Sequence, residues 1–304
     1  SFFPNILNAD IDRHCNNKVG QNVLENIDHF KIKKVEIKAQ EYRKWITNSL
    51  NILTGNFRYV PEKFKRRFDA NIIVKFENNL VCNFAGRIRF SGDQKDHITL
   101  KENSIIQSLD IHLKNGNIYG ITKFKLFLPW ARGNFEDEIF VTELLRELNY
   151  LAPRTSYVDV KLNNVNTKMI FQEKAVKELL EFNQRREGPI FEGDERFLYR
   201  LIEAANLPDN QLSNEEIGAV PLIDAGIRGM FARQTNANWI MKGGKHADIS
   251  YNSLSNLNNA YLLYLSKYKN KKNNFESNYY GLDNNLIGLG NSDSILKLDI
   301  YNLI

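Results

Sequence analysis

The predicted fold depends on three consecutive stretches: GITKFKLFLP (residues 120–129), EDEIFVTELLRELNYL (136–151) and TSYVDVKLNNVNTKMIFQ (155–172). Apolar and polar residues alternate in the first, which indicates a strand, and Pro129 ends it because proline has no N–H to donate to a sheet. The second repeats apolar residues at helical spacing and begins with acids that suit the positive end of a helix dipole. The third contains two alternating runs around an Asn-rich turn, which is typical of a hairpin.

Further elements are predicted on both sides of this strand, helix and hairpin. Upstream, we expect one helix and three strands, at residues 37–53 (helix), 71–77, 80–90 and 108–113. Downstream, the pattern is largely helical to about residue 241 and then rich in Asn and Gly, with short strands near 261–265 and 277–282. A region of strands with one main helix, followed by a helical region, predicts an α+β fold with two lobes.

Length and composition exclude several classes of protein. The chain has 304 residues, of which 42% are hydrophobic, and a net charge of +5, which describes a globular protein and not a disordered tail. The basic residues are dispersed, so we expect no nucleic-acid partner. The two cysteines, Cys15 and Cys82, are too few for a disulfide-dense scaffold or a four-cysteine zinc site. No apolar run is long enough to predict a membrane span.

Residue types that phosphoryl transfer requires occur in the order found in protein kinases. Lys123 lies on a predicted strand, and Glu138 follows in the first turn of the next helix. Residues 172–174 (QEK) come after the hairpin, at the position of a hinge, and residues 246–248 (HAD) and Asp283 lie much later in segments predicted as loops. Each residue alone has an ordinary structural role, since a strand lysine is usually solvated and a first-turn glutamate suits the helix dipole.

Four segments then follow one another as in a known family: RIRFSGDQKDHI (87–98), LDIHLKNGNIYGITKFKLFLPWAR (109–132), FVTELLRELNYLAPRTSYVDVKLN (140–163) and FQEKAVKELLEFNQRREGPIFEGDER (171–196). Together they resemble the CotH family of spore-coat kinases, which are atypical members of the protein-kinase-like fold. The resemblance implies a bilobal fold of the α+β class. It places an N-terminal extension with a helix at residues 1–60, an N-lobe with an antiparallel sheet and one main helix at 61–172, and a hinge and mostly helical C-lobe at 173–304.

The resemblance also implies roles for N-lobe residues. Lys123 would bind the nucleotide phosphates, with Lys125 on the same strand face as its rival, and Glu138 would pair with that lysine. Arg87, Arg89 and Asp93 belong to the strand-and-turn motif and would either have a structural role or lie beside the phosphates. Glu173 falls at the hinge, where backbone groups would meet the adenine.

In the C-lobe the resemblance implies a catalytic carboxylate and two metal ligands. Asp248 would be the catalytic carboxylate, and Asn258 and Asp283 would bind the metal. The spacing from Asp248 to Asn258 is wider than in an ordinary catalytic loop, which leaves Asn252 and Asn256 open as ligands. The residues before Asp283 also differ from the usual family form, which leaves a pseudokinase open.

The function implied by the resemblance is that of a kinase that uses ATP and Mg²⁺ (or Mn²⁺). Its acceptor would be a Ser or Thr hydroxyl of a surface or coat protein, or a hydroxyl of a glycan. The alternative is a non-catalytic scaffold for envelope or coat assembly. The compartment is not determined by the sequence. The candidate is a soluble protein that is secreted or associated with the cell envelope.

Two smaller clusters each allow both a structural and a functional interpretation. Asp93, Asp96 and His97 suggest a metal site, but such sites need more ligands at defined geometry, and a hydrogen-bonded turn is the simpler interpretation. The run KYKNKK (267–272) is either a solvated turn or a contact for an acidic partner.

Overall fold

The computed structural model describes Cys15 and residues 31–57, 59–133, 135–193, 232–270, 279–280 and 286–287. The chain divides into two units, Ser1–Arg185 and Arg186–Ile304. The first unit contains β1 (Ile32–Ala39), α1 (Tyr42–Thr54), β2 (Phe68–Phe76), β3 (Val81–Phe90), β4 (Ile98–Lys101), β5 (Ser104–Gln107), β6 (Leu109–Leu113), β7 (Lys123–Phe127), α2 (Asp137–Glu147), β8 (Thr155–Leu162), β9 (Val165–Glu173) and α3 (Lys177–Phe182). The second contains β10 (Phe191–Gly193), β11 (Ala232–Gln234), α4 (Gly244–Asn270), β12 (Tyr279–Tyr280) and β13 (Leu286–Ile287).

Seven strands of the first unit close a barrel, in the order β1-β2-β3-β6-β7-β9-β8. Neighbouring strands are antiparallel, except that β1 pairs with β8 in parallel and so completes the ring. The predicted bilobal protein-kinase-like fold with a mostly helical C-lobe is therefore wrong. The first unit is built mainly of sheet and contains a closed barrel of seven strands.

Strand β1 is the barrel strand that the sequence prediction misses. The helix expected at residues 37–53 is confirmed only from Tyr42 onward, because residues 32–39 (IKKVEIKA) are extended. Val35, Ile37 and Ala39 alternate with polar residues and are buried, as on one face of a strand. With β2 on one side and β8 on the other, β1 closes a sheet that a helix would have left open.

Alternating apolar side chains from every barrel strand fill the interior. The rings of Phe124 and Phe171 stack there with their centroids 4.7 Å apart. Gly86 on β3 is required by close approach, because a Cβ atom would lie 2.5 Å from Cδ1 of Ile72 and 2.9 Å from the carbonyl oxygen of His112. Helix α1 adds Trp45, which is 2% exposed, to this core. Further residues of this core include Phe68, Ala70, Ile72, Val74, Phe84, Ile88, Leu109, Ile111, Leu126, Val158, Val160 and Met169.

The second unit has less regular structure in its described part. Strand β10 pairs with β11, β12 pairs with β13, and a 3₁₀ helix at Ala237–Lys242 precedes α4. The strand predicted near residues 261–265 is wrong, since those residues lie within the 27 residues of α4. The helical pattern predicted for residues 194–231 lies outside the described residues.

Candidate functional site

Asp110 is a buried carboxylate on the outer wall of the barrel. Its neighbours Leu109 and Ile111 point into the barrel, so the alternation of β6 directs Asp110 outward. Its side chain is nevertheless only 2% exposed, because basic side chains from adjacent strands cover it. In the sheet register, Asp110 lies between Arg89 on β3 and Lys125 on β7.

Three cations contact this carboxylate. Nη2 of Arg67 lies 3.2 Å from Oδ1, and Nη2 of Arg89 lies 3.0 Å from Oδ2. Nζ of Lys174, just beyond the end of β9, lies 3.0 Å from Oδ2. The three basic side chains remain 22–26% exposed, so solvent reaches them. We call Asp110, Arg67, Arg89, Lys174 and His112 the Asp110 cluster.

His112 contacts two members of the Asp110 cluster. Its Nε2 lies 3.2 Å from Oδ1 of Asp110 and 2.9 Å from Nη2 of Arg67. Burial lowers the pKa of His112, Asp110 raises it, and Arg67 lowers it further, for a net decrease. The imidazole is therefore neutral at pH 7, and Nε2 either accepts from Arg67 or donates to Asp110 according to the tautomer.

The Asp110 cluster carries an excess of positive charge. Burial favours the neutral form of Asp110, but hydrogen bonding by His112 and the charges of Lys174, Arg67 and Arg89 hold its pKa well below the usual range. Burial and the charges of Lys125 and Arg89 lower the pKa of Lys174 in spite of the attraction of Asp110. Three cations face one carboxylate. The negative charge of Asp110 is therefore fully balanced, and the cluster keeps a net positive charge.

Glu138 lies beside the Asp110 cluster, in the first turn of α2. It accepts two hydrogen bonds from Arg132, both at 2.6 Å, and a third from Nε2 of Gln172. Burial raises the pKa of Glu138, but Arg132, Gln172 and the charge of Lys125 outweigh burial and lower it. Lys125, the rival of Lys123, is therefore close enough for its charge to act on Glu138.

Lys123 lies two residues earlier on the same strand, opposite His112 in the register. Its carbonyl oxygen accepts a hydrogen bond of 3.1 Å from the N–H of Lys174. Within the described residues, no ion pair involves the ammonium group of Lys123. The pairing of Lys123 with Glu138 stays a prediction, and Glu138 has Arg132 as its ion-pair partner.

Glu173 has a structural partner. Its carboxylate accepts hydrogen bonds of 2.8 Å from Nε and Nη2 of Arg154, and the two side chains are 1% and 3% exposed. The N–H of Glu173 donates to the carbonyl oxygen of Arg154 at 3.0 Å. Arg154 also donates to the carbonyl oxygen of Tyr119 and lies 3.9 Å above the ring of Phe182. Glu173 thus joins the ends of β8 and β9, and its role toward adenine stays a prediction.

Other residues singled out in segment 87–98 make structural contacts. Arg87 is half exposed and lies 3.5 Å from Asp69 on β2. Asp93 forms an ion pair with Lys65. His97 accepts or donates a 2.9 Å hydrogen bond with Oγ of Ser108, as expected for a hydrogen-bonded turn. Within the described part of the chain, no three His, Cys, Asp or Glu side chains group as a metal site.

The predicted C-lobe site is described only in part. Asp248 lies on α4 and is exposed, so the expected loop around it is wrong, since residues 244–270 are helical. Asn258 also lies on α4, but its side chain is outside the described part, and Asp283 is not among the described residues. The roles of Asp248, Asn258 and Asp283 stay predictions.

Sequence reasoning missed most of the Asp110 cluster. It singled out Arg89 and the region of Lys123, Lys125 and Glu138, but not Asp110. The signal was present in LDIHL (109–113), where charged and polar residues alternate with interior residues on a barrel strand. An aspartate at such a position indicates a buried ion pair only when the flanking strands are known to supply cations.

The chain was compared with known proteins. No protein-family model matches it, and no curated protein sequence matches it. The resemblance to the CotH family therefore rests on the motifs quoted above and stays a prediction. No helix among the described residues is both long and apolar enough to cross a membrane.

Proposed function

We propose that this protein is an ATP-dependent phosphotransferase and that the Asp110 cluster, with Lys125, binds the phosphates of the nucleotide. The observation that carries this assignment is the group of three partly exposed cations around one carboxylate. Guanidinium and ammonium groups bind phosphate oxygens by charge-assisted hydrogen bonds. A guanidinium group can donate two such hydrogen bonds to one phosphate at the same time. A ligand with several negative charges would balance the excess that Asp110 leaves.

The spread of the cations favours a polyphosphate over a single small anion. Arg89 on β3, Lys125 on β7 and Lys174 at the end of β9 belong to a run of four strands in which β6 separates β3 from β7, so they present charge along the barrel wall. Fixed cations of this kind stabilise the negative charge that develops during phosphoryl transfer, which requires positioning and electrostatics more than covalent chemistry. The assignment does not depend on a kinase-like fold, because function resides in a site and not in the fold that carries it.

The chain's own residues have distinct parts in this proposal. Arg67 and Arg89 hold the phosphates, and Asp110 contacts both guanidinium groups in the structure without ligand. Glu138 and Arg132 form an ion pair with each other beside Lys125, and this pair supports the adjacent part of the barrel wall. Asp248 is the proposed carboxylate for the acceptor hydroxyl, and the proposed metal ligands are Asn258 and Asp283. Mg²⁺, when bound, neutralises charge on the phosphates.

The acceptor and compartment follow from the resemblance alone. We assign the acceptor to Ser or Thr of a surface or coat protein, or to a glycan hydroxyl. We place the protein outside the cytoplasm or at the cell envelope. The non-catalytic assembly scaffold is the other outcome of the experiment below.

Nucleotide binding tests the proposed function. We expect ATP, with and without Mg²⁺, to raise the melting temperature of the wild type, because a ligand that binds the native state stabilises it. Arg89→Gln should weaken ATP binding roughly 10- to 100-fold, the value of a hydrogen bond to a charged group. Arg43→Gln is the matched control, since Arg43 is exposed on α1. A wild type that binds no nucleotide would contradict the proposed function and favour the scaffold.

A further inference from the structure

The two cysteines of the chain form a disulfide bond with each other. Cys15 and Cys82 are 67 residues apart in sequence, and their Cα atoms are 5.6 Å apart, which suits a disulfide. Their residues are 3% and 1% exposed. Because the sequence contains two cysteines, every thiol of the chain is used.

The disulfide lies where one end of the barrel is covered. Cys82 is the second residue of β3 and pairs with Val74 on β2, next to the turn that joins these strands. The segment between β6 and β7 lies at the same end, and its Asn117 donates its N–H to the carbonyl oxygen of Cys15 at 2.9 Å. Cys15 is therefore held by the disulfide to β3 and by a backbone hydrogen bond from the segment between β6 and β7.

Packing shows that this end is part of the core. Ile118 and Ile121, in the connection that contacts Cys15, are 0% and 1% exposed, and they pair through a short antiparallel bridge. Tyr119 packs edge-on against Phe76 at the end of β2, with ring centroids 5.5 Å apart. Cys15 belongs to the same hydrophobic cluster as these residues. The disulfide thus ties Cys15, which precedes β1 in the chain, into the hydrophobic core of the barrel.

The chemistry of the pair is structural. Catalytic and redox-sensing cysteines are partly exposed and form thiolates, whereas this pair is buried among apolar side chains. Zinc sites need four ligands, and the described residues place no group of three His, Cys, Asp or Glu side chains together. Structural disulfides persist where the surroundings oxidise thiols and are rare where glutathione keeps them reduced.

We infer that the Cys15–Cys82 disulfide closes this end of the barrel and that the chain is oxidised in a thiol-oxidising compartment during its maturation. The two thiols lose two protons and two electrons and form one S–S bond. The electrons pass to a second disulfide, that of an oxidised glutathione or a disulfide-carrying protein, which becomes two thiols. This inference is independent of nucleotide binding.

Trapping thiols in the cells that make the protein tests the compartment. Cells are quenched in acid, and the denatured protein is alkylated and weighed with and without prior reduction. We expect no alkylated cysteine before reduction and two after it, and a digest should contain a peptide pair linked through Cys15 and Cys82. Two alkylated cysteines before reduction would overturn the inference.

Reductant tests the structural role. Reduction of the purified wild type should lower its melting temperature by roughly 5–15 °C, because a disulfide over a long loop restricts the unfolded chain. The double variant Cys15→Ala, Cys82→Ala should melt at the lower temperature and not respond to reductant. If the double variant does not fold, the wild type titrated with reductant gives the same comparison. A melting temperature that reduction leaves unchanged would show that the bond does not close the barrel.

Discussion

Replacing Asp110 by asparagine should strengthen the binding of ATP. Asp110→Asn keeps the shape of the side chain and removes the carboxylate charge that Arg67, Arg89 and Lys174 share. A unit charge about 6 Å from a bound phosphate contributes about 3 kcal/mol at an effective dielectric constant near 20. Because the cations are partly solvated, we expect a gain of about 1–3 kcal/mol, which is a Kd roughly 5- to 150-fold lower.

The same substitution should destabilise the protein without ligand. Each hydrogen bond to a charged group contributes about 1.5–3 kcal/mol, but the freed cations can hydrate, so we expect a net loss of about 2–3 kcal/mol. Isothermal titration calorimetry with ATP and with pyrophosphate at fixed salt measures the affinity. Asp69→Asn is the control, because it removes the same charge from an exposed ion pair on β2. Binding that is unchanged or weaker in Asp110→Asn would refute the assignment of the cluster to phosphate.

Four further predictions concern stability and the choice of lysine. The pKa of Asp110 is lowered on folding, so the ionised carboxylate stabilises the folded state fully above the unfolded pKa of about 3.9. This stabilisation is lost as the pH falls below that value. Acid unfolding of the wild type should therefore be steeper than that of Asp110→Asn. Arg154→Met leaves the Glu173 carboxylate buried and unpaired, so the free energy of unfolding measured in urea should fall by about 3–5 kcal/mol. Adding Glu173→Leu to this variant should restore part of that loss. Gly86→Ala should cost about 1–3 kcal/mol in the same assay, because the added methyl group meets backbone and core; an unchanged midpoint would contradict the packing. Lys125→Met should weaken ATP binding more than Lys123→Met, and the reverse order would return the phosphate role to Lys123.

Much of the barrel could be predicted from local pattern. Alternation located β2, β3, β6 and β7 and the β8–β9 hairpin, because each strand buries one face and exposes the other. It did not locate β1. In IKKVEIKA the bulge between Ile32 and Lys34 breaks the alternation, and the apolar residues that follow in α1 match a helical period that extends back to Ile37. Closure between β1 and β8 joins distant parts of the chain, which no local pattern records.

The candidate site shows a similar division. The sequence indicated a functional strand around Lys123 and Lys125 and a partner glutamate in the next helix, and Glu138 is close enough to Lys125 for its pKa to be affected. The centre of the cluster could not be predicted, because Asp110 is buried only by side chains from other strands. For the same reason, the pairing of Glu173 with Arg154 follows from the β8–β9 register and not from the residues beside it.

The position of a bound nucleotide tests the central claim most directly. A crystal structure of the wild type with a non-hydrolysable ATP analogue should show phosphate oxygens within hydrogen-bond distance of Arg89 and Lys125, with Asp110 still in contact with Arg67. An analogue bound with its phosphates away from the Asp110 cluster would contradict the claim.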